Sequence, residues 1–257
     1  MPYALITGAS SGIGKEYARQ LAARGYDVVL VARDKERLEL VGESIAKEHE
    51  VLYEVIKADL TLASDIAKVI KRIEDDEKPI EVLVNNAGFG LNKAFHKSTE
   101  EEEKELLDIL VTTPVRLTKA AVTNMLNNKK GYVINVGSVA AWITTGTYSA
   151  AKSYLHNFSE SLYAAYSKQG VYVSVVAPGF TKTEFHQRAN IPIKSVPKWL
   201  WLTDEFVVKK SLVGAFDKES MIVPGIQYKF LKFLSSVLPR AVIRAFSNLY
   251  KTRKKAN

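Results

Sequence analysis

The sequence has 257 residues, of which 47% are apolar and 25% charged, with 14 glycines and 8 prolines. That composition supplies one large core and excludes a disordered or collagen-like chain. The formal net charge is +8, there is no cysteine, and His49, His96, His156 and His186 are too scattered for a local HExxH-type site, so disulfides, thiol chemistry and a structural metal are not expected.

Met1-Pro2-Tyr3 leads into a strand-like segment with no cationic leader, and no apolar run reaches the roughly 18 residues of a spanning helix. The expectation is a cytosolic protein. A strand over 3–7 precedes Ile13, Tyr17 and Leu21 at helical spacing, and Gly25 ends that helix. Next come a strand over 28–31, a helix carrying Leu38, Val41 and Ile45, a strand over 51–56, a helix carrying Ile66, Val69 and Ile73, and a strand over 80–84. Thr99 and Glu102 form a capping-box pair that opens a long helix running toward Leu126, followed by a strand over 132–136, a helix over 148–167 and a strand over 171–176. The strands read as buried on both faces. This alternation predicts the α/β class: a single doubly wound parallel β-sheet with helices on both faces. Residues 1–225 read as one domain, with a flap around 184–205 marked by Pro192, Pro197, Trp199 and Trp201, and 226–257 as a basic amphipathic extension.

The first strand-helix junction reads Thr7-Gly8-Ala9-Ser10-Ser11-Gly12-Ile13-Gly14. Glycines there permit a tight turn, and the exposed N–H groups of the helix start suit a pyrophosphate; the plain alternative is an ordinary turn. After the second strand, Ala32 stands where a carboxylate would read a free ribose 2′-hydroxyl, and Arg33 follows it. A guanidinium there pairs with a 2′-phosphate, favouring NADP(H), unless Arg33 is a solvated loop cation beside a helix-capping Asp34. Tyr148 and Lys152 share a helix face one turn apart, with Ser138 just past the preceding strand. A nearby ammonium is expected to pull the phenol pKa down, so that Tyr148 exchanges a proton while Ser138 holds the substrate oxygen. Taken alone, the pair also reads as a packing aromatic beside a solvated cation.

These segments, with Asn85-Asn86-Ala87-Gly88 after the fourth strand, Tyr148-Ser149-Ala150-Ala151-Lys152, and Pro178-Gly179 after the sixth, resemble the short-chain dehydrogenase/reductase family over roughly residues 3–225. The resemblance implies a Rossmann fold and a catalytic set of Ser138, Tyr148 and Lys152. The implied cofactor contacts are Gly8, Ser10, Ser11, Gly12, Ile13, Gly14, Arg33, Asp59, Leu60, Asn86, Ala87, Gly88, Tyr148, Lys152, Pro178, Gly179, Thr181 and Thr183. Within that set Asp59 would meet adenine, Asn86 to Gly88 the adenosine side, Thr183 the nicotinamide carboxamide or phosphates, and Lys152 also the nicotinamide ribose. From the residues alone, Asn86 to Gly88 is a strand-ending turn, and Asp59 and Thr183 are helix caps.

Two departures from the family stand out. Ser138 and Tyr148 are ten positions apart where the family commonly has thirteen, a loop that Gly146 helps to close. Leu110 occupies the place of an asparagine that usually holds a relay water, so the expectation is another proton path, slow turnover, or simple core packing.

The charge excess lies at the end of the chain. After Glu219 there is no acid, whereas Lys229, Lys232, Arg240, Arg244, Lys251, Arg253, Lys254 and Lys255 supply eight cations, leaving 28 of each sign elsewhere. Two amphipathic pieces flank Pro239, the first carrying Phe230, Phe233, Leu234, Val237 and Leu238, the second Val242, Ile243, Phe246, Leu249 and Tyr250. They read as docking on the body or a second subunit, or as a peripheral membrane contact; with no stacking or zinc module, no nucleic-acid partner is expected.

The function expected is an NADP(H)-dependent oxidoreductase interconverting a ketone or aldehyde with an alcohol. The alternative is a dinucleotide-binding sensor or interaction protein with little catalysis. Phe185, Trp199, Leu200 and Trp201 suggest an apolar substrate, or else cover a core or a subunit contact. The family resemblance also implies a homodimer or homotetramer.

Overall fold

The computed structural model describes residues 1–189 and 196–253. Pro192, Lys254 and Lys255 lie outside the described residues. In chain order the elements are β1 (Tyr3–Thr7), α1 (Gly12–Ala22), β2 (Asp27–Ala32), α2 (Lys35–His49), β3 (Tyr53–Lys57), α3 (Ala63–Ile73) and β4 (Ile80–Asn85). They continue with α4 (Glu100–Leu107), α5 (Thr113–Asn127), β5 (Gly131–Val136), α6 (Thr147–Tyr166), β6 (Val171–Val176), α7 (Phe185–Arg188), α8 (Asp204–Phe216), β7 (Met221–Ile222), α9 (Ile226–Val237) and α10 (Arg240–Arg253).

All seven strands run parallel in the order β3-β2-β1-β4-β5-β6-β7. This is a Rossmann fold, and its order reverses between β1 and β4, which opens a crevice at their carboxyl ends. Side chains alternate across the sheet. Leu5, Val29, Val31, Leu83 and Val133 pack under α3, α5 and α6, while Ala4, Ile6, Leu30, Val84 and Ile134 pack under α1, α2 and α8. Both faces are therefore sealed, as the alternation of elements anticipates. The exception is β3, whose residues are half-buried or exposed because it is an edge strand.

Asp34 caps α2 by accepting from the Arg37 amide at 3.0 Å, and Thr99 and Glu102 form the expected capping box on α4. The long helix expected to run on from there does so, but it contains an irregular turn. A π-helical turn, Asp108–Thr112, separates α4 from α5, and Pro114 lies in the first turn of α5. Proline has no amide proton to continue the ladder, and the inserted turn accommodates it. The seventh strand, only two residues long, leaves no periodicity to read in the sequence.

Candidate active site

Three chain segments meet at the crevice. The glycine loop after β1 is folded back onto the end of β2, where the Gly8 and Ala9 amides donate to the Val31 carbonyl at 2.8 and 3.2 Å. Gly8 and Gly12 have φ of +68° and +51°, a left-handed backbone that glycine adopts without strain. At Gly14 a Cβ would stand 2.1 Å from the Gly8 carbonyl oxygen. Ser11 makes no side-chain cap on α1, and the first turn of α1 has no acid. The start of α1, next to Ser10, is thus an uncapped positive helix end, which fits a bound pyrophosphate.

The second segment follows β4. The Asn86 side chain donates to the Thr7 and Gly8 carbonyls at 2.9 and 3.3 Å, and Thr7 Oγ1 accepts from the Asn86 and Ala87 amides. Asn86 thus braces the glycine loop. Gly88 lies directly over Leu110, whose Cδ2 would be 2.8 Å from a Cβ at that position. Leu110 itself is buried in the core, together with Leu106, Leu117 and Ala151. A hydrocarbon therefore sits where the family pattern has an amide.

The third segment follows β6. Pro178 accepts from the Val139 amide at 3.1 Å, and the Tyr228 ring lies so close over Gly179 that no larger residue fits. Thr181 is buried, with its hydroxyl donating to the Gly179 carbonyl at 3.0 Å. Thr183 lies against Gly12, with its Cβ 3.1 Å from where a Gly12 Cβ would be, while its hydroxyl accepts from the Phe185 amide at 3.3 Å. At the outer end of the crevice, Asp59 accepts from the Thr61 amide and hydroxyl at 3.0 and 2.8 Å, and Leu60 is buried in the core. Arg33 is exposed and has no ion-pair partner among the described residues. Arg37, which sequence reading passed over, bridges α2 to Glu184 at 3.3 Å.

The short loop between β5 and α6 brings Ser138, Tyr148 and Lys152 together. Ser138 caps a 3-10 turn, Val139–Trp142, by accepting from the Ala140 amide at 3.1 Å. Gly146, at φ +107°, starts α6. Ser149 closes the loop by donating to the Ile143 carbonyl at 2.6 Å and accepting from the Thr145 amide at 3.2 Å. Lys152 is buried and donates to the Val136 carbonyl at 2.6 Å, with its Nζ 5.7 Å from the centre of the Tyr148 ring.

The electrostatics correct one expectation from the sequence. Burial pushes the Tyr148 phenol up to about 12, outweighing the opposing hydrogen bond with Ser138, and the same burial lowers Lys152 to about 8. The ammonium is directed at a strand carbonyl rather than at the phenol oxygen, so desolvation decides the sign. Sequence reading also missed His156, one turn beyond Lys152. It is buried edge-on to Trp142, and its Nε2 accepts from the Ser138 amide at 3.4 Å. Burial, then the charges of Lys152 and Lys232, hold it down at about 4, so it stays neutral and able to accept. A lone histidine at helical spacing carries no such signal.

Phe185 brings an aromatic wall to the site. Its ring is 6.2 Å from Tyr148 and 5.6 Å from His186, and His186 contacts Phe180 and Trp201. Trp199 instead stands 67% exposed, and Leu200 joins a separate small cluster with Tyr228.

Residues 2–193 match the short chain dehydrogenase family. The chain belongs to that family. It is 30% identical over 260 residues to the very-long-chain 3-oxoacyl-CoA reductase of Anas platyrhynchos, covering 98% of this chain and 80% of the relative. A short-chain dehydrogenase from Sphingobium yanoikuyae, solved in complex with NADPH, superposes with a TM-score of 0.84 at 33% identity over 94% of this chain and 98% of that one. The bulky-bulky ketone specific alcohol dehydrogenase of Comamonas testosteroni gives 0.80 at 32% identity, over 94% and 96%. As a short-chain dehydrogenase, the protein is an oxidoreductase by family. No helix among the described residues is long and apolar enough to cross a membrane.

A buried ammonium imposes a measurable cost on the fold. The folded protein releases the Lys152 proton near pH 8 while the unfolded chain keeps it to the ordinary 10.5, so unfolding takes up protons in that window and stability rises with pH across it. Urea melts of the native protein and of Lys152→Met should therefore diverge with pH. The native protein gains about 3 kcal/mol relative to the variant between pH 8 and 10.5, and parallel curves would show that Lys152 is not desolvated.

Proposed function

We propose that this short-chain dehydrogenase is an NADP(H)-dependent enzyme that interconverts a bulky apolar ketone or aldehyde with its alcohol, working as a reductase at neutral pH. The observation that carries this reading is the meeting of Ser138, Tyr148 and Lys152 beside the glycine loop, with the phenol held high enough to stay protonated. NADPH, when bound, supplies the hydride. Tyr148 holds the proton that the substrate oxygen takes up, and its raised pKa makes it a donor rather than a base at pH 7. Ser138 holds the substrate oxygen near that proton, and His156 fixes Ser138 from behind. Lys152 keeps its positive charge 5.7 Å from the centre of the ring that becomes the tyrosinate. Phe185 and Trp201 give the site an apolar side, which fits the bulky ketones named for the Comamonas testosteroni enzyme.

The cofactor choice rests on Arg33. An exposed, unpaired guanidinium at the end of β2, following Ala32 in place of a carboxylate, suits a 2′-phosphate. The NADPH complex of the Sphingobium yanoikuyae relative agrees with this choice.

With a panel of bulky apolar ketones, Tyr148→Phe should lower kcat about 100- to 10,000-fold while NADPH still quenches intrinsic fluorescence; undiminished turnover would refute the assignment. Reduction by the native protein should fall as pH rises through about 8, where Lys152 loses its charge. Arg33→Ala should lower kcat/KM for NADPH about 10- to 100-fold and leave that for NADH nearly unchanged. An equal loss with both coenzymes would remove Arg33 from phosphate recognition.

A further inference from the structure

Helix α9 is apolar on two opposite sides. Its inner side carries Tyr228, which is buried, and Leu231, which packs on the same cluster as Leu200 and Val139. Tyr228 Oη fastens the helix to the segment after β6, accepting from the Phe180 amide at 2.9 Å and donating to the Leu200 carbonyl at 2.5 Å. Its outer side carries Ile226, Phe230, Phe233 and Val237, which are 80%, 61%, 60% and 58% exposed. At about 100° per residue these four fall within a sector of roughly 60°, on the side opposite Tyr228. The stripe is about 16 Å long at the helical rise. An ordinary surface helix buries one apolar stripe and gives water the other face. Here the second stripe has no partner within the described chain.

What borders the stripe indicates what covers it. Lys229 stands along one flank, Arg240 and Arg244 follow on α10, and no acid occurs after Glu219. Trp199, 67% exposed, stands next to Lys198 and is tied to α9 through the Gln227 side chain, which donates to the Trp199 carbonyl at 3.3 Å. A second copy docking stripe to stripe about a two-fold axis would set these cations against their own images, with no carboxylate to offset them. Anionic lipid offers the opposite charge, an apolar layer for the phenylalanines and an interface for the indole.

We propose that α9 docks the protein on an anionic membrane surface, with Ile226, Phe230, Phe233 and Val237 entering the interface and Lys229 pairing with headgroups. The docking is peripheral, and it is independent of the catalytic reading. Because Tyr228 joins the inner side of α9 to the segment bearing Phe180, the docked helix lies next to the aromatic wall of the site.

The test is sedimentation of the full chain with vesicles of phosphatidylcholine alone and of phosphatidylcholine mixed with phosphatidylserine. Binding is expected only to the mixed vesicles and should weaken as salt rises. The double variant Phe230→Ser/Phe233→Ser should bind at least about tenfold more weakly, with NADPH turnover of a water-soluble ketone retained as the control for folding. Lys229→Glu should weaken the preference for phosphatidylserine. Absence of vesicle binding by the native chain, or binding that the serine variant leaves unchanged, overturns the proposal. So does a native dimer in analytical ultracentrifugation that the serine variant splits into monomers, because the stripe would then belong to a second copy.

Discussion

The structure at the crevice depends on a single buried contact, the bond from the Lys152 ammonium to the Val136 carbonyl. It is costly in the way that any desolvated charge is costly, and it survives because a strand end and a helix face hold its partners in place. That bond joins α6 to the end of β5, one turn along the helix from Tyr148 and two residues before Ser138. The same enclosure that lowers Lys152 raises Tyr148, so the pair is arranged as a charged ammonium and a neutral phenol at neutral pH. Lys152 and Tyr148 thus form one buried pair, each shifted by its own desolvation.

A ladder of buried amides and hydroxyls supports that pair from below. Asn85 donates to Thr118 and to Asn135, at 3.0 and 2.8 Å, and Asn135 donates to Ser159 at 2.9 Å, which links β4, α5, β5 and α6 through the sheet. Polar groups inside a core must find each other, and where they do they fix one register of strand against helix. The ends of β4 and β5, which carry the Asn86 brace and the Val136 carbonyl, are the ends this ladder holds. His156 adds the last support, by holding the Ser138 amide and filling the space that Gly137 leaves.

The outer layer ties the substrate side to the C-terminal helices. Tyr228 bonds to the segment after β6, and on α10 Ser247 accepts from the Thr144 amide at 3.0 Å, beside the loop that leads into Tyr148. The trimmed loop between Ser138 and Tyr148 therefore has a neighbour. What surrounds the end of the chain bears on the site itself.

Much of this was legible in the sequence, for a local reason. Period-2 and period-3.6 patterning depends on near neighbours, so the doubly wound parallel sheet, the caps at Asp34 and Thr99, the glycine loop and the helical Tyr148–Lys152 pair could all be read directly. The two-residue β7 and the role of His156 could not be, because the first is a ladder too short to leave a period and the second arises from contacts distant in sequence. The sign of the Tyr148 shift belongs to the same class. Spacing places a cation beside a phenol, but only packing decides how much water either keeps, and desolvation outweighed the charge. For α9 the sequence determined a basic amphipathic piece; only the tertiary structure decided that Tyr228 faces the protein and Phe230 does not, because burying one side of a helix leaves the other to the solvent or to a partner.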